Sequence, residues 1–159
     1  MKITFEGPAV LVSDINRSRL FYEQVLGQEV LADHGPHVAF KNGFSIWFAD
    51  HAVPIVSQGA KMHSGSLAHD NFELYFECAE IDEAWAKTQE AGAEPIHGII
   101  VQPWLQKGFR ISDPDGHIVE VGEPLPALVK RLMAQGMSAD EVHEKTSIPK
   151  DAVLAMAQG

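Results

Sequence analysis

The sequence predicts an α+β fold: one strand–helix–strand–strand–strand module used twice, with helices appended after it. Three observations carry this. Landmarks recur at near-constant offsets: Ile15 to Ile81 is 66 positions, Gly27 to Gly92 is 65, and Asn42-Gly43 to Asp115-Gly116 is 73. The stretch from Ile111 to Val121 reads as a hairpin, with Asp113-Pro114-Asp115-Gly116 as its turn. Pro114 presets φ for the second turn position, and Gly116 accepts a positive φ. Past Glu123, Leu125, Leu128, Val129, Leu132 and Met133 recur at i, i+3, i+4, i+7 and i+8, one face of a helix.

In chain order, Ile3 to Val12 reads as a strand containing Gly7-Pro8. A proline cannot donate to a ladder, so the strand is expected at an edge or interrupted there. Asp14 or Asn16 can cap the next helix, with Phe21, Tyr22 and Val25 as its buried stripe and Gly27 at its end. Glu29 to Asp33, His37 to Phe40 and Phe44 to Ala49 follow as strands, the last two joined at Asn42-Gly43. Asp50 to Asp70 has no clear period and carries Pro54, Gly59 and Gly65, the signature of a long connection. Then Asn71 to Cys78 alternates cleanly. Phe72, Leu74 and Phe76 fall on one side, with Glu73, Tyr75 and Glu77 on the other. Ile81, Ala84, Trp85 and Thr88 are spaced as a helix that ends at Gly92. Strands are expected over Pro95 to Val101, Trp104 to Ser112 and His117 to Val121. Ser138 with Glu141 makes a capping box, and Pro149 suits a further helix start. The expected organisation is a first module over 1–49, a linker over 50–70, a second module over 71–123 and a helical extension over 124–159.

The formal charge of −10 argues against nucleic acid as a partner, because phosphate binding needs a basic face. The same field favours cationic ligands. The three short C-terminal helices resemble a helix-turn-helix in outline. Asp140, Glu141, Glu144 and Asp151 outweigh Lys145 and Lys150, so a packing or dimer-contact appendage is the reading taken. Cys78 is the only cysteine, which excludes an internal disulfide and suits a reducing compartment. A charge interrupts Met1 to Glu6 before an apolar run develops, and no apolar stretch reaches the roughly 18 to 20 residues of a membrane span. No membrane association and a cytoplasmic location are expected.

On the last strand of the second module, Ile118, Glu120 and Gly122 share a face. If that face is solvated, Glu120 is an ordinary surface charge. If it is enclosed, Glu120 must be paired, protonated or bound to a metal. Two stretches give the question a context. Val12-Ser13-Asp14-Ile15-Asn16-Arg17-Ser18-Arg19-Leu20-Phe21-Tyr22-Glu23-Gln24-Val25-Leu26-Gly27 and Asp113-Pro114-Asp115-Gly116-His117-Ile118-Val119-Glu120 resemble the opening and closing signatures of the vicinal oxygen chelate superfamily. That group holds glyoxalase I, extradiol dioxygenases, fosfomycin-resistance enzymes and bleomycin-resistance proteins. The resemblance covers about residues 3 to 123. It implies two βαβββ modules that curve a mixed sheet around a cavity, with Glu73, Tyr75 and Glu77 facing inward.

The resemblance also implies four equivalent ligand positions, two per module, which align here to Gly7, Trp47, Glu73 and Glu120. Gly7 has no side chain and Trp47 offers only an N–H. Two carboxylates suit a hard, hydrated ion such as magnesium or manganese and make a poor zinc site. A divalent metal (magnesium, manganese, nickel or zinc) and no metal at all both stay open. Of the eight histidines, His34, His37, His51, His63, His69, His97, His117 and His143, none forms a spaced ligand pair on one helix. His37 and His97 lie on strands and could face the cavity.

Two functions follow by resemblance. One is a metal-dependent lyase, isomerase or dioxygenase acting on vicinal oxygens, with Glu120 as ligand or base and Glu73 as ligand. The other, preferred, is a metal-free binding protein like the bleomycin-resistance branch, a homodimer with edge strands exchanged around Pro8. There Trp47, Tyr75 and Trp104 would stack on a planar ligand, and Glu73, Glu77 and Glu120 would attract its positive charge. Arg110 would pair a cavity glutamate or a ligand carboxylate, or lie on the surface.

Overall fold

The computed structural model describes residues 3–60, 65–69 and 71–158. It divides into two compact units: residues 1–72 with 112–117, and residues 73–111 with 118–159. In each, a four-stranded mixed sheet carries helices.

In the first unit the elements are β1 (Ala9–Val12), α1 (Ile15–Arg19), β2 (Val30–Asp33), β3 (His37–Phe40), β4 (Ser45–Phe48) and α2 (Ala49–Ser57). The sheet order is β1-β4-β3-β2, with β1 and β4 parallel and the other pairs antiparallel. Asp14, of the two candidate caps, starts α1: its side chain accepts the Asn16 and Arg17 amides at 3.0 and 3.1 Å. The helix runs on as a π-helical turn over Leu20–Val25, where Leu26 bonds back five residues to Phe21. That turn carries Phe21 and Tyr22 into a core with Val12, Val38, Phe40 and Ile46. The Tyr22 ring lies 5.2 Å from Phe44, and its hydroxyl donates to the buried Asp113 carboxylate at 2.9 Å. Asp113 in turn accepts the amides of Asp115 and His117, so the Asp-Pro-Asp-Gly turn clusters with this unit. His117 adds a ring contact from Nε2 to the Leu11 carbonyl at 2.9 Å.

Two sequence expectations change here. The strand expected over Ile3 to Val12 shrinks to Ala9–Val12. Gly7 adopts φ +135°, and a Cβ there would stand 1.6 Å from the Gly43 carbonyl oxygen, so the backbone turns tightly where only glycine fits. The connection expected from residue 50 begins with a helix, Ala49–Ser57, that carries Pro54 inside it. Buried Ala49 and Ala52 anchor its start, and a proline's φ suits a helix even though it removes one hydrogen bond. His63 and Asp70 lie outside the described residues.

The second unit runs β5 (Glu73–Glu77), α3 (Ile81–Glu90), β6 (Glu94–Val101), β7 (Lys107–Ser112), β8 (Ile118–Gly122), α4 (Leu125–Ala134), α5 (Ala139–Thr146) and α6 (Lys150–Gln158). Its order, β5-β8-β7-β6, repeats that of the first sheet, with the two outer-numbered strands again parallel. Leu74, Phe109, Ile111, Val119 and Val121 are buried together with Ile81 and Thr88 of α3. Trp85 of α3 meets Phe109 edge-on at 5.1 Å. Phe72, expected in this layer, precedes β5 and is 51% exposed. Trp104, expected on β7, sits in the turn before it.

The last three helices pack Leu128, Val129, Leu132, Val142, Ile148 and Val153 into a core of their own. The Ser138/Glu141 capping box forms as the sequence predicts. Among the described residues no helix is long and apolar enough to cross a membrane.

Candidate functional site

The opposite face of the second sheet carries the polar groups. In the β5–β8 ladder Glu73 pairs with Ile118, Tyr75 with Glu120 and Glu77 with Gly122. Partners in a parallel ladder share a face, so Glu73, Tyr75, Glu77 and Glu120 stand together. Arg110 of β7 reaches across them. Its Nε donates to Glu73 Oε2 at 2.8 Å, and its Nη2 donates to Glu120 Oε2 at 2.5 Å and Glu73 Oε1 at 3.4 Å. His97 of β6 closes the cluster: Nδ1–H donates to the Gly98 carbonyl at 2.8 Å, leaving Nε2 to accept from Arg110 Nη1 at 3.3 Å. The enclosed reading of Glu120 therefore holds, since its side chain is 9% exposed and paired.

The two carboxyls are not equivalent. The hydrogen bond from Arg110 holds Glu73 below the usual carboxylate range, against a smaller effect of its partial burial. Burial pushes Glu120 up, and the neighbouring Glu73 charge adds to that, although the guanidinium opposes it.

Further along the face the groups become aromatic. Tyr75 and Trp104 are 48% and 45% exposed. Gln106 ties them: its Nε2 donates to the Tyr75 hydroxyl at 3.0 Å, and its Oε1 accepts from Trp104 Nε1 at 2.8 Å. The Tyr75 hydroxyl donates to Glu77 Oε1 at 3.2 Å. The Tyr75 ring lies over Gly122, where an added Cβ would come within 2.8 Å of it. Of the residues singled out from the sequence, Glu73, Tyr75, Glu77, Trp104, Arg110 and Glu120 come together in this unit. Sequence reasoning missed Gln106 and the bare floor at Gly122. A glycine inside a strand, on the face that alternation assigns to Glu120, was the available signal.

Gly7 and Trp47 belong to the first unit. Trp47 Nε1 donates to His51 Nδ1 at 2.9 Å, and its ring meets His37 edge-on at 5.4 Å. Its indole is thus already engaged. The ladders also shift one of the expected equivalences. Both hairpins close alike, Phe40 to Phe44 and Asp113 to His117, which keeps Trp47 matched to Glu120. Trp47 pairs with Leu11, whereas Glu120 pairs with Tyr75, so Leu11 matches Tyr75 and Ala9, not Gly7, matches Glu73. Two of the extra residues of the second module lie between its first strand and helix. The substitute is again no ligand, since alanine offers only a methyl.

The residues present do not fit a resident metal ion. A guanidinium occupies the space between Glu73 and Glu120 where an ion would have to bridge them. Among the described residues no group of three or more His, Cys, Asp or Glu is placed to hold an ion. The face offers a carboxylate-rich floor with one cation already neutralised, beside two half-exposed rings.

Comparison with known proteins gives the chain a family and a set of similar folds. A glyoxalase-like domain model matches residues 5–126. A protein of unknown function from Agrobacterium tumefaciens str. C58 is 37% identical, covering 79% of this chain and 97% of that one, with a TM-score of 0.72. Similar folds occur in a lactoylglutathione lyase from Agrobacterium tumefaciens (22% identity, 77% and 95% covered, TM-score 0.59). They occur also in a glyoxalase/bleomycin resistance protein/dioxygenase from Nocardioides (19% identity, 77% and 84% covered, TM-score 0.58). Among curated proteins no sequence matches the chain.

Proposed function

The chain belongs to the glyoxalase-like domain family, and from that premise we propose that it is a metal-independent binding protein for a small cationic molecule with a planar aromatic part. The observation that carries this reading is the Arg110 fork. It takes up Glu73 and Glu120 together, so neither is left to chelate an ion. Three glutamates against one arginine leave the face acidic, which favours a cation by charge. Tyr75 and Trp104 supply rings on which a planar cation can stack, a contact strengthened by the ring quadrupole. The bound molecule is expected to be held without chemical change. A homodimer belongs to the same proposal, supported by the exposed Ile3 and Phe5 ahead of edge strand β1, and sedimentation as a monomer would refute that part. So does a cytoplasmic location, supported by a single unpaired cysteine.

The test joins two titrations of the purified protein. Calorimetry with manganese, nickel and zinc is expected to show no stoichiometric uptake. Fluorescence with 1-methylquinolinium as probe is expected to show saturable tryptophan quenching that Trp104→Phe removes. Stoichiometric metal uptake abolished by Glu120→Gln would overturn the proposal in favour of a metal-dependent lyase, isomerase or dioxygenase.

A further inference from the structure

Leu105, in the turn between β6 and β7, has φ +69°. Among the described residues only Gln58 and Ser147 are other non-glycine residues with positive φ, and both end helices. Leu105 ends nothing, and a branched side chain resists this conformation. Such backbone persists only where its surroundings impose it. Within the turn, Leu105 N–H bonds to the Gln102 carbonyl and Gln102 N–H to the Gln106 carbonyl, both at 2.8 Å.

The C-terminal helices supply the imposing contacts. Leu105 is partly buried and packs against the apolar core that these helices form. Its carbonyl accepts Arg131 Nη2 at 2.8 Å. Arg131 is itself aimed by Glu123, with Nε on Oε1 at 2.8 Å and Nη2 on Oε2 at 2.7 Å. Glu123 is almost fully buried and accepts the Lys107 amide at 3.2 Å, at the start of β7. Its backbone carbonyl receives Gln106 Nε2 at 2.6 Å. So the residues on either side of Leu105 are Trp104 and Gln106, the pair that sets the aromatic end of the candidate site. The family match stops at residue 126, just inside α4.

We propose that the C-terminal helices clamp the β6–β7 turn, and that Arg131, through Leu105, is a positioning residue that fixes Trp104 and Gln106 for ligand recognition. The consequence for affinity rests on the binding function proposed above; the clamp itself does not.

The experiment uses the full chain labelled with 5-fluorotryptophan, whose three fluorine resonances are assigned with Trp104→Phe. Arg131→Lys keeps a charge beside Glu123 but lacks the fork that holds a carboxylate and a carbonyl together. Its melting temperature is expected near that of the parent, while the Trp104 resonance alone shifts or broadens. Leu105→Gly, which removes the packed side chain and relieves the backbone, is expected to do the same. In both variants 1-methylquinolinium is expected to bind about 3- to 10-fold more weakly, the effect of having to order one freed side chain on binding. An unmoved Trp104 resonance in both variants overturns the clamp. So does an equal change in all three resonances, which would report a general loosening. If the parent fails to bind the probe, the ligand reading falls while the fluorine spectra still decide the clamp.

Discussion

Replacing Arg110 with methionine is the sharpest perturbation of the candidate site. The change keeps much of the side chain's apolar bulk and removes the guanidinium between Glu73 and Glu120. Removing one partner of a buried pair costs about 3–5 kcal/mol, while exposed pairs contribute about 0.2–1. Glu120 is 9% exposed, but Arg110 is 25% and Glu73 40% exposed, so the expected loss lies between those limits. We expect about 2 kcal/mol at pH 8, or roughly 4–8 °C in melting temperature for a chain of this size. The sign with pH follows from both acids. Glu73, held low by Arg110, contributes stability that is present above its unfolded pKa and lost as pH falls. Glu120, raised by burial and no longer opposed by the guanidinium, binds its proton more tightly when folded, so its penalty grows as pH rises past the unfolded value. Both contributions fade in acid, so the gap between the parent and Arg110→Met should narrow from pH 8 to pH 4 and close only below the lowered pKa of Glu73. Urea unfolding followed by tryptophan fluorescence at pH 4 and pH 8 measures this. An equal loss at both values would show that Arg110 contributes packing alone, and the electrostatic account of the site would fail.

Further outcomes follow from the same geometry. Gly122→Ala should push the Tyr75 ring off the sheet with less than about 1.5 kcal/mol of destabilisation, because the ring is half-exposed and can rotate, yet it should weaken 1-methylquinolinium binding; unchanged binding would remove Tyr75 from the site. Tyr22→Phe should lose about 1.5–3 kcal/mol in urea unfolding, the contribution of a buried hydrogen bond to a charged group. Burial pushes both Tyr22 and Tyr75 above the ordinary tyrosine pKa, with Asp113 and Glu77 respectively adding to it. These are the chain's two tyrosines, so absorbance at 295 nm should show far less than half-ionisation at pH 10 in the folded protein. Half-amplitude there would contradict the buried placement of Tyr22.

What was legible in the sequence was local or periodic. The alternation of Glu73, Tyr75 and Glu77, the Asp-Pro-Asp-Gly turn, the Leu125–Met133 stripe and the doubled module each depend on spacings within one or two elements. The structure repeats them, together with the shared strand order of the two sheets. What was not legible depends on register between distant strands. Arg110 could be named as a partner for a glutamate, but its bridging of two needs β7, β8 and β5 side by side in one alignment. The same limit produced the match of Gly7 to Glu73, corrected to Ala9 by two ladders that no local signal encodes. Pro54 misled in another way. A breaker by propensity, it is tolerated in a helix whose buried alanines hold its first turn.

The lodging of the Asp-Pro-Asp-Gly turn beside Tyr22 has a bearing on how the chain matures. The hydroxyl of Tyr22 waits for a carboxylate 91 positions later, and Ser13 and Arg17 wait for Asp115. A ribosome must therefore pass Asp115 before the first unit acquires these internal partners. Loop closure over such a span is slow, and during that interval the emerging first sheet is open to chaperones and proteases. Synthesis arrested ahead of Asp113 should yield a fragment that is degraded, even though it contains every strand of the first sheet.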